Sequence, residues 1–155
     1  MKIRPQEMRG NSQLLRSVNP HVRQNFIVKI PVILLLTNDN ELEDALAEAL
    51  LELGGVSHLT RHAGDALETI CGVHDLDLAV IDFEHGPHGM TLLTAINTCC
   101  EDLPVIVITR DDDKHVETLA YANGATACLP KPVSITQLAS AIRELQRLKP
   151  ELAPA

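Results

Sequence analysis

A carboxylate, a hydroxyl and an ammonium group each stand at the end of a short apolar run in this sequence. They are Asp82, Thr109 and Lys131. Short continuous apolar runs are typical of buried parallel strands. The carboxyl ends of parallel strands meet at one edge of a sheet, where open α/β proteins place their chemistry. We therefore expect these three side chains to form a small site for an anionic ligand.

Strands and helices are predicted to alternate along the chain. Apolar runs predict strands, and apolar residues at helical spacing predict amphipathic helices. The predicted strands are 32–36, 56–60, 77–81, 104–108 and 126–129, and the predicted helices are 41–53, 63–71, 90–99, 112–122 and 135–148. This fivefold βα alternation predicts a parallel sheet with helices on both faces.

Short polar residues and glycines predict where the helices begin and end. Asp39 or Asn40 is expected to cap the first helix, and Ser134 the last. Gly54 and Gly55 are expected to stop the first helix. The acidic run 111–113 lies at the start of the fourth helix, where negative charge complements the helix dipole.

The combination of these features resembles the receiver domain of two-component response regulators, which accepts a phosphoryl group on one aspartate. The likeness rests on Asp82, the strand that ends in Thr109, the turn 122–125 and the segment Leu-Pro-Lys-Pro at 129–132, with the spacing between them. It covers roughly residues 32–148. It implies a flavodoxin-like (βα)5 doubly wound parallel sheet with strand order 2-1-3-4-5.

The resemblance also implies a role for each site residue. Asp82 would be the phosphoacceptor, Lys131 would set its ammonium group against the carboxylate and then the phosphate, and Thr109 would donate its hydroxyl to a phosphate oxygen. The domain would be a signalling module in a bacterial phosphorelay and not an enzyme. Its expected partners are a sensor histidine kinase or phosphotransfer protein, and a second copy joined through the fourth helix, fifth strand and fifth helix.

Two departures from the family pattern concern the metal and the switch. The family carries an acidic pair after the first strand to hold Mg²⁺, whereas this chain has Thr37 and Asn38, with Asp39 one residue later. We expect a weak or lost Mg²⁺ site made of Asp82, Asn38 and Asp39, because Mg²⁺ is usually held by carboxylates in a strict octahedron. Cys128 stands where the family has an aromatic residue.

Other interpretations remain open at this stage. The lost acidic pair favours a phosphorylation-independent receiver-like module for dimerisation or partner binding. His85 and His88 with Glu84 could bind a metal such as zinc, or simply form an exposed polar loop. Residues 82–86 have the wrong spacing for the loop of cobalamin-binding domains. Flavin binding is not favoured either, because no Ser/Thr-rich phosphate-binding loop follows the first strand.

Composition limits the class of protein. The 155 residues fit one domain, and with 2% aromatic residues the core must be aliphatic. The net charge is −8, but residues 1–30 carry +5, which leaves −13 on the remainder. Such an acidic globule is a poor nucleic-acid binder. We expect a basic irregular extension at 1–30, a receiver domain at 31–149 and a tail or linker at 150–155.

The location of the protein is inferred from the same sequence. No apolar run approaches the length of a membrane span, and no secretory signal is visible. The four cysteines contain no CxxC pair, which favours buried or half-buried thiols in a reducing compartment. These features predict a cytoplasmic protein.

Overall fold

The computed structural model describes residues 30–85, 88–110 and 113–148. Almost all of the predicted extension 1–30, and the whole tail 150–155, lie outside these ranges. The described elements are, in chain order, β1 (Val32–Leu36), α1 (Asn40–Leu53), β2 (Val56–Thr60), α2 (Ala63–Gly72), β3 (Leu78–Asp82), a 3₁₀ turn (Phe83–His85), α3 (His88–Cys99), β4 (Val105–Thr109), α4 (Lys114–Ala122), β5 (Ala127–Pro130) and α5 (Ile135–Leu148). No helix in the described ranges has the length and apolar character that crossing a membrane requires.

The sheet is parallel throughout, with the order β2-β1-β3-β4-β5. This confirms the flavodoxin-like fold and the strand order 2-1-3-4-5. The chain reverses its direction across the sheet between β1 and β3, and ligands of such sheets bind at this switch point. Leu36 pairs with Ile81 in the register, so Thr37 and Asp82 come next to each other at the carboxyl edge.

The core is divided by the sheet into two aliphatic layers, because successive strand side chains point to opposite faces. On one face Leu35 and Val80 pack against α1 and α5, with Leu46 and Ile142 among the buried partners. The other layer is formed by α2, α3 and α4, and its buried members include Leu34, Ile81, Ile70, Leu93, Ile96 and Ala120. The aliphatic core expected from the composition is therefore confirmed.

The third strand begins one residue later than predicted, at Leu78 rather than Asp77. Asp77 is instead tied to the start of β1: its N–H donates to the carbonyl of Val32 at 2.8 Å, and its carboxylate accepts the N–H of Val32 at 2.9 Å. At its other end the strand runs through Asp82, which pairs with Ile108 in the ladder. The phosphoacceptor candidate is thus fixed by the sheet itself.

Helix ends follow the predicted capping residues. Asp39 caps α1, and its Oδ1 accepts the N–H groups of Glu41 at 2.9 Å and Leu42 at 3.4 Å. Ser134 and Gln137 exchange two hydrogen bonds of 3.0 Å at the start of α5, which is the capping-box arrangement. Gly54 ends α1 at φ 74°, a conformation that favours glycine.

A buried and an exposed leucine on α1 test the core assignment. Leu46→Ala removes a side chain that is 1% exposed, and we expect the free energy of unfolding in urea to fall by about 2–5 kcal/mol. Leu51→Ala is the matched control, since Leu51 is 82% exposed, and its effect should stay within about 0.5 kcal/mol. Equal losses for the two variants would contradict the packing of α1.

Candidate functional site

One lysine faces three carboxylates at the carboxyl edge of the sheet. The Nζ of Lys131 donates to Asp39 Oδ2 at 2.8 Å, to Asp82 Oδ2 at 2.9 Å and to Glu84 Oε2. We call these four residues the Lys131 cluster. They come from the loop after β1, from β3 and the turn that follows it, and from the end of β5. The predicted pairing of Asp82 with Lys131 is present in the structure.

The carboxylate of Asp82 is buried and held on both oxygens. Its Oδ2 accepts the hydroxyl of Thr37 at 2.7 Å in addition to Lys131, and its Oδ1 accepts the N–H of Glu84 at 3.0 Å. The Thr37 hydroxyl in turn accepts the N–H of Asp39 at 2.9 Å. Because buried charges are costly unless they are hydrogen-bonded, these contacts keep an ionised carboxylate tolerable inside the protein.

The ion pairs of the Lys131 cluster shift the pKa values of Lys131 and Asp39. Burial disfavours the charged ammonium, but the hydrogen bonds to Asp39, Glu84 and Asp82 outweigh it and raise the pKa of Lys131 above its usual value. The hydrogen bond from Lys131 lowers the pKa of Asp39, against an opposing effect of burial. Lys131 and Asp39 are therefore charged at neutral pH.

Thr109 is brought beside Lys131 by the pairing of β4 with β5. It pairs with Pro130 in the register, and its carbonyl accepts the N–H of Lys131 at 2.9 Å. Its side chain is buried at the end of β4, and a cis peptide joins Lys131 to Pro132. The geometry thus gathers all three residues that the sequence singled out, while the role of the Thr109 hydroxyl toward phosphate stays a prediction.

A family profile described as the response regulator receiver domain matches residues 28–143. The match covers most of the 155 residues. The chain belongs to this family. Receiver domains are signalling modules of two-component systems. No curated protein matches the chain.

Solved receiver domains share the fold of this one. A response regulator receiver domain protein from Clostridium thermocellum has a TM-score of 0.69 and 22% identity, over 76% of this chain and 95% of that chain. One from Methanospirillum hungatei has a TM-score of 0.68 and 23% identity, over 77% and 95%. The signal receiver domain of an HD domain-containing protein from Pseudomonas fluorescens has a TM-score of 0.67 and 27% identity, over 77% and 96%.

The residues of this receiver domain that were expected to hold Mg²⁺ are engaged otherwise. Asp82 accepts hydrogen bonds from Thr37 and Lys131, and both oxygens of Asp39 are used, one by the cap of α1 and one by Lys131. The exposed amide of Asn38 donates to the carbonyl of Arg61 at 3.4 Å. Mg²⁺ requires several oxygen ligands in an octahedron. As arranged, this donor set does not fit the metal, and the expectation that the Mg²⁺ site at Asp82, Asn38 and Asp39 is weak or lost stays a prediction.

The alternative metal site of the receiver domain loses one of its members to the Lys131 cluster. Glu84 binds Lys131, and His88 is the first residue of α3. The side chain of His85 lies outside what the structure describes. Within the described residues, no group of three or more His, Cys, Asp and Glu side chains is arranged to hold a metal ion.

Cys128 is half-buried on β5, where the family has an aromatic side chain. Burial and the nearby charge of Glu117 raise the pKa of its thiol to about 11, so it is an unreactive neutral thiol. Its N–H donates to the hydroxyl of Tyr121 on α4 at 3.1 Å. The expectation of buried thiols is wrong for Cys71 and Cys99, which are exposed because the inward positions of α2 and α3 are taken by other apolar residues.

Two members of the site were not assigned from sequence. In the sequence Thr37 stands out only as the replacement of an acid, and Glu84 only as a candidate metal ligand. The position of Thr37 directly after β1 indicates its contact with Asp82, since the ends of neighbouring parallel strands lie side by side. Glu84 lies two residues after Asp82 in a 3₁₀ turn, which brings its carboxylate back toward Lys131.

Removing the charge of Asp39 tests the Lys131 cluster. Asp39→Asn keeps a good helix cap but loses the ion pair, so we expect unfolding in urea at pH 7 to cost about 1 kcal/mol less than for the unmodified protein. The pKa of Asp39 is lowered in the folded state, so its stabilisation is present above the unfolded pKa and is lost as pH falls through the folded value. The difference should therefore shrink when the measurement is repeated below pH 3.8.

The exposed Asp44 of α1 provides the control for that experiment. Asp44→Asn makes the same chemical change on the same helix, away from Lys131, and should leave the unfolding free energy within about 0.5 kcal/mol. A loss for Asp39→Asn that is equal at both pH values would contradict an ion-pair origin.

Proposed function

We propose that this receiver domain accepts a phosphoryl group on Asp82 and transmits the signal through protein contacts. The observation that supports it is the ammonium group of Lys131, 2.9 Å from the Asp82 carboxylate at the carboxyl edge of the sheet. The donor would be a sensor histidine kinase or a phosphotransfer protein. The exposed Leu119 and Tyr121 of α4 belong to the surface of α4, β5 and α5 that we propose for a second copy or an output partner.

The chemistry follows from the positions of the three residues. A carboxylate oxygen of Asp82 forms a bond to phosphorus, while the bond between phosphorus and the donor breaks and its electron pair leaves with the donor. Lys131 stabilises the negative charge on the phosphoryl oxygens, and the Thr109 hydroxyl donates to one of them. Transfer should be slow, because the hydrogen bonds from Thr37 and Lys131 stabilise the carboxylate before it reacts.

Intact-mass measurement after incubation with acetyl phosphate and Mg²⁺ tests this proposal. We expect a slow gain of one phosphoryl group, which disappears in Asp82→Asn because the nucleophile is lost. Asp75→Asn changes an exposed aspartate that lies before β3 and should be phosphorylated like the unmodified protein. The absence of any gain in folded protein would contradict the proposal.

A phosphorylation-independent interaction module is the second candidate. The observation in its favour is that the buried carboxylate of Asp82 is already satisfied by the neutral hydroxyl of Thr37 and by Lys131. Asp82 would then be structural, and the receiver fold would serve dimerisation or partner binding. A dimer seen by sedimentation that is equally stable in the presence and absence of acetyl phosphate would favour this candidate over the first.

Restoring the acidic pair tests why Mg²⁺ does not fit. In the double variant Thr37→Asp, Asn38→Asp, two carboxylates are placed beside Asp82, and we expect Mg²⁺ to raise the thermal unfolding midpoint by several degrees more than in the unmodified protein. The same double variant with Asp82→Asn is the control, since it lacks the carboxylate that the metal would share. Equal responses to Mg²⁺ in the unmodified protein and the double variant would contradict our explanation.

A further inference from the structure

A cleft of about 290 Å³ opens beside Asp82 on the side where the acidic pair is missing. Its lining includes Thr37, Asn38, Arg61, His62 and His88. Among the described residues that line it, Asp82 is the only acidic one. The cleft therefore combines one arginine and two histidines with one carboxylate, Asp82, which is 2.9 Å from Lys131 and shares that ammonium group with Asp39 and Glu84.

Arg61 is fixed at this cleft by two neighbours. Its guanidinium donates to Glu43 Oε2 at 2.9 Å and to the carbonyl of Thr37 at 3.4 Å. A guanidinium carries five N–H donors, more than these two contacts use, and its planar fork suits the oxygens of a phosphate group. The side chain is 42% exposed, so a ligand can reach it from solvent.

Two helices begin at the same cleft. His62 precedes α2 as its N-cap but makes no capping hydrogen bond with its side chain, and Gly64 of the first turn lines the cleft. His88 and Gly89 of the first turn of α3 line it as well. The first N–H groups of a helix have no partner within the helix, and its dipole attracts anions there. A Cβ on Gly64 would meet nothing within 4 Å, so there is free space beside this part of the cleft lining.

We propose that this cleft binds a phosphate group without a metal ion, with Arg61 as its main side-chain ligand and His62 and His88 as further hydrogen-bond donors. Positive charge fixed on the protein would then act beside Asp82, where the donor set does not fit Mg²⁺. In assigning the cleft to the phosphoryl donor, here a small acyl phosphate, the inference rests on the proposed function. The binding of phosphate itself can be measured on a protein that cannot be phosphorylated.

The experiment is a titration of Asp82→Asn with inorganic phosphate, followed by NMR chemical shifts, with EDTA present and ionic strength held constant. We expect saturable shifts at residues that line the cleft. Binding should be tighter than in the unmodified protein, because a negative charge beside the ligand has been removed. Adding Arg61→Gln should weaken phosphate binding at least about threefold, as expected for the loss of a charge-assisted hydrogen bond at an exposed site.

Matched variants distinguish phosphate binding at this cleft from a general effect of charge and from misfolding. Arg143→Gln removes the same charge from an exposed position on α5 and should leave the affinity unchanged. Glu43→Gln releases Arg61 from its ion pair and should tighten phosphate binding, a result that a damaged fold would not give. Equal weakening by Arg61→Gln and Arg143→Gln, or binding that appears only when Mg²⁺ is added, would overturn the proposal.

Phosphorylation by acetyl phosphate distinguishes this inference from the function on which it builds. If Asp82 is phosphorylated only with Mg²⁺ and at the same rate in Arg61→Gln, the acceptor role stands and the role of Arg61 is overturned. If Asp82 is never phosphorylated but Asp82→Asn binds phosphate through Arg61, the cleft stands and the acceptor role fails. Phosphorylation in EDTA that slows at least about threefold in Arg61→Gln would support both.

Discussion

The convergence of three carboxylates on one ammonium group is the constraint around which the edge of this receiver domain is built. Asp39 and Asp82 lie 92 and 49 residues from Lys131 in the chain, and only the parallel order of β1, β3, β4 and β5 brings them together. Without that cation, like charges would be left close together at a partly buried site. The fold and the site are therefore interdependent: the sheet positions the lysine, and the lysine allows three carboxylates to lie close together at the edge of the sheet.

Replacement of an acidic pair by Thr37 and Asn38 changes how the charge of this edge is balanced. A carboxylate pair needs an exchangeable cation, whereas the Thr37 hydroxyl donates a hydrogen bond and adds no charge. On the neighbouring side, Arg61 and the starts of α2 and α3 supply fixed positive potential. We therefore propose that groups of the chain itself take over part of the charge compensation that a bound metal gives to an acidic pair.

The sequence predicts the architecture well because the signals of its elements are local. Five apolar runs and amphipathic helices identify the strands and helices, and Asp39, Ser134 and Gly54 mark helix ends through chemistry that involves only near neighbours. The start of β3 is displaced because Asp77 bonds to Val32, a residue far away in the chain. The hydrogen bond between Thr37 and Asp82 is equally non-local, so spacing identified the two strand ends but not their contact.

The contact between Tyr121 and Cys128 has a practical consequence. The chain contains one tyrosine and no tryptophan, so Tyr121 dominates its near-ultraviolet absorption and its intrinsic fluorescence. The phenol oxygen accepts the N–H of Cys128 and therefore joins α4 to β5, while the ring is half exposed to solvent. This receiver domain carries a natural optical probe at the junction of α4 and β5, where a rearrangement could be followed without any label.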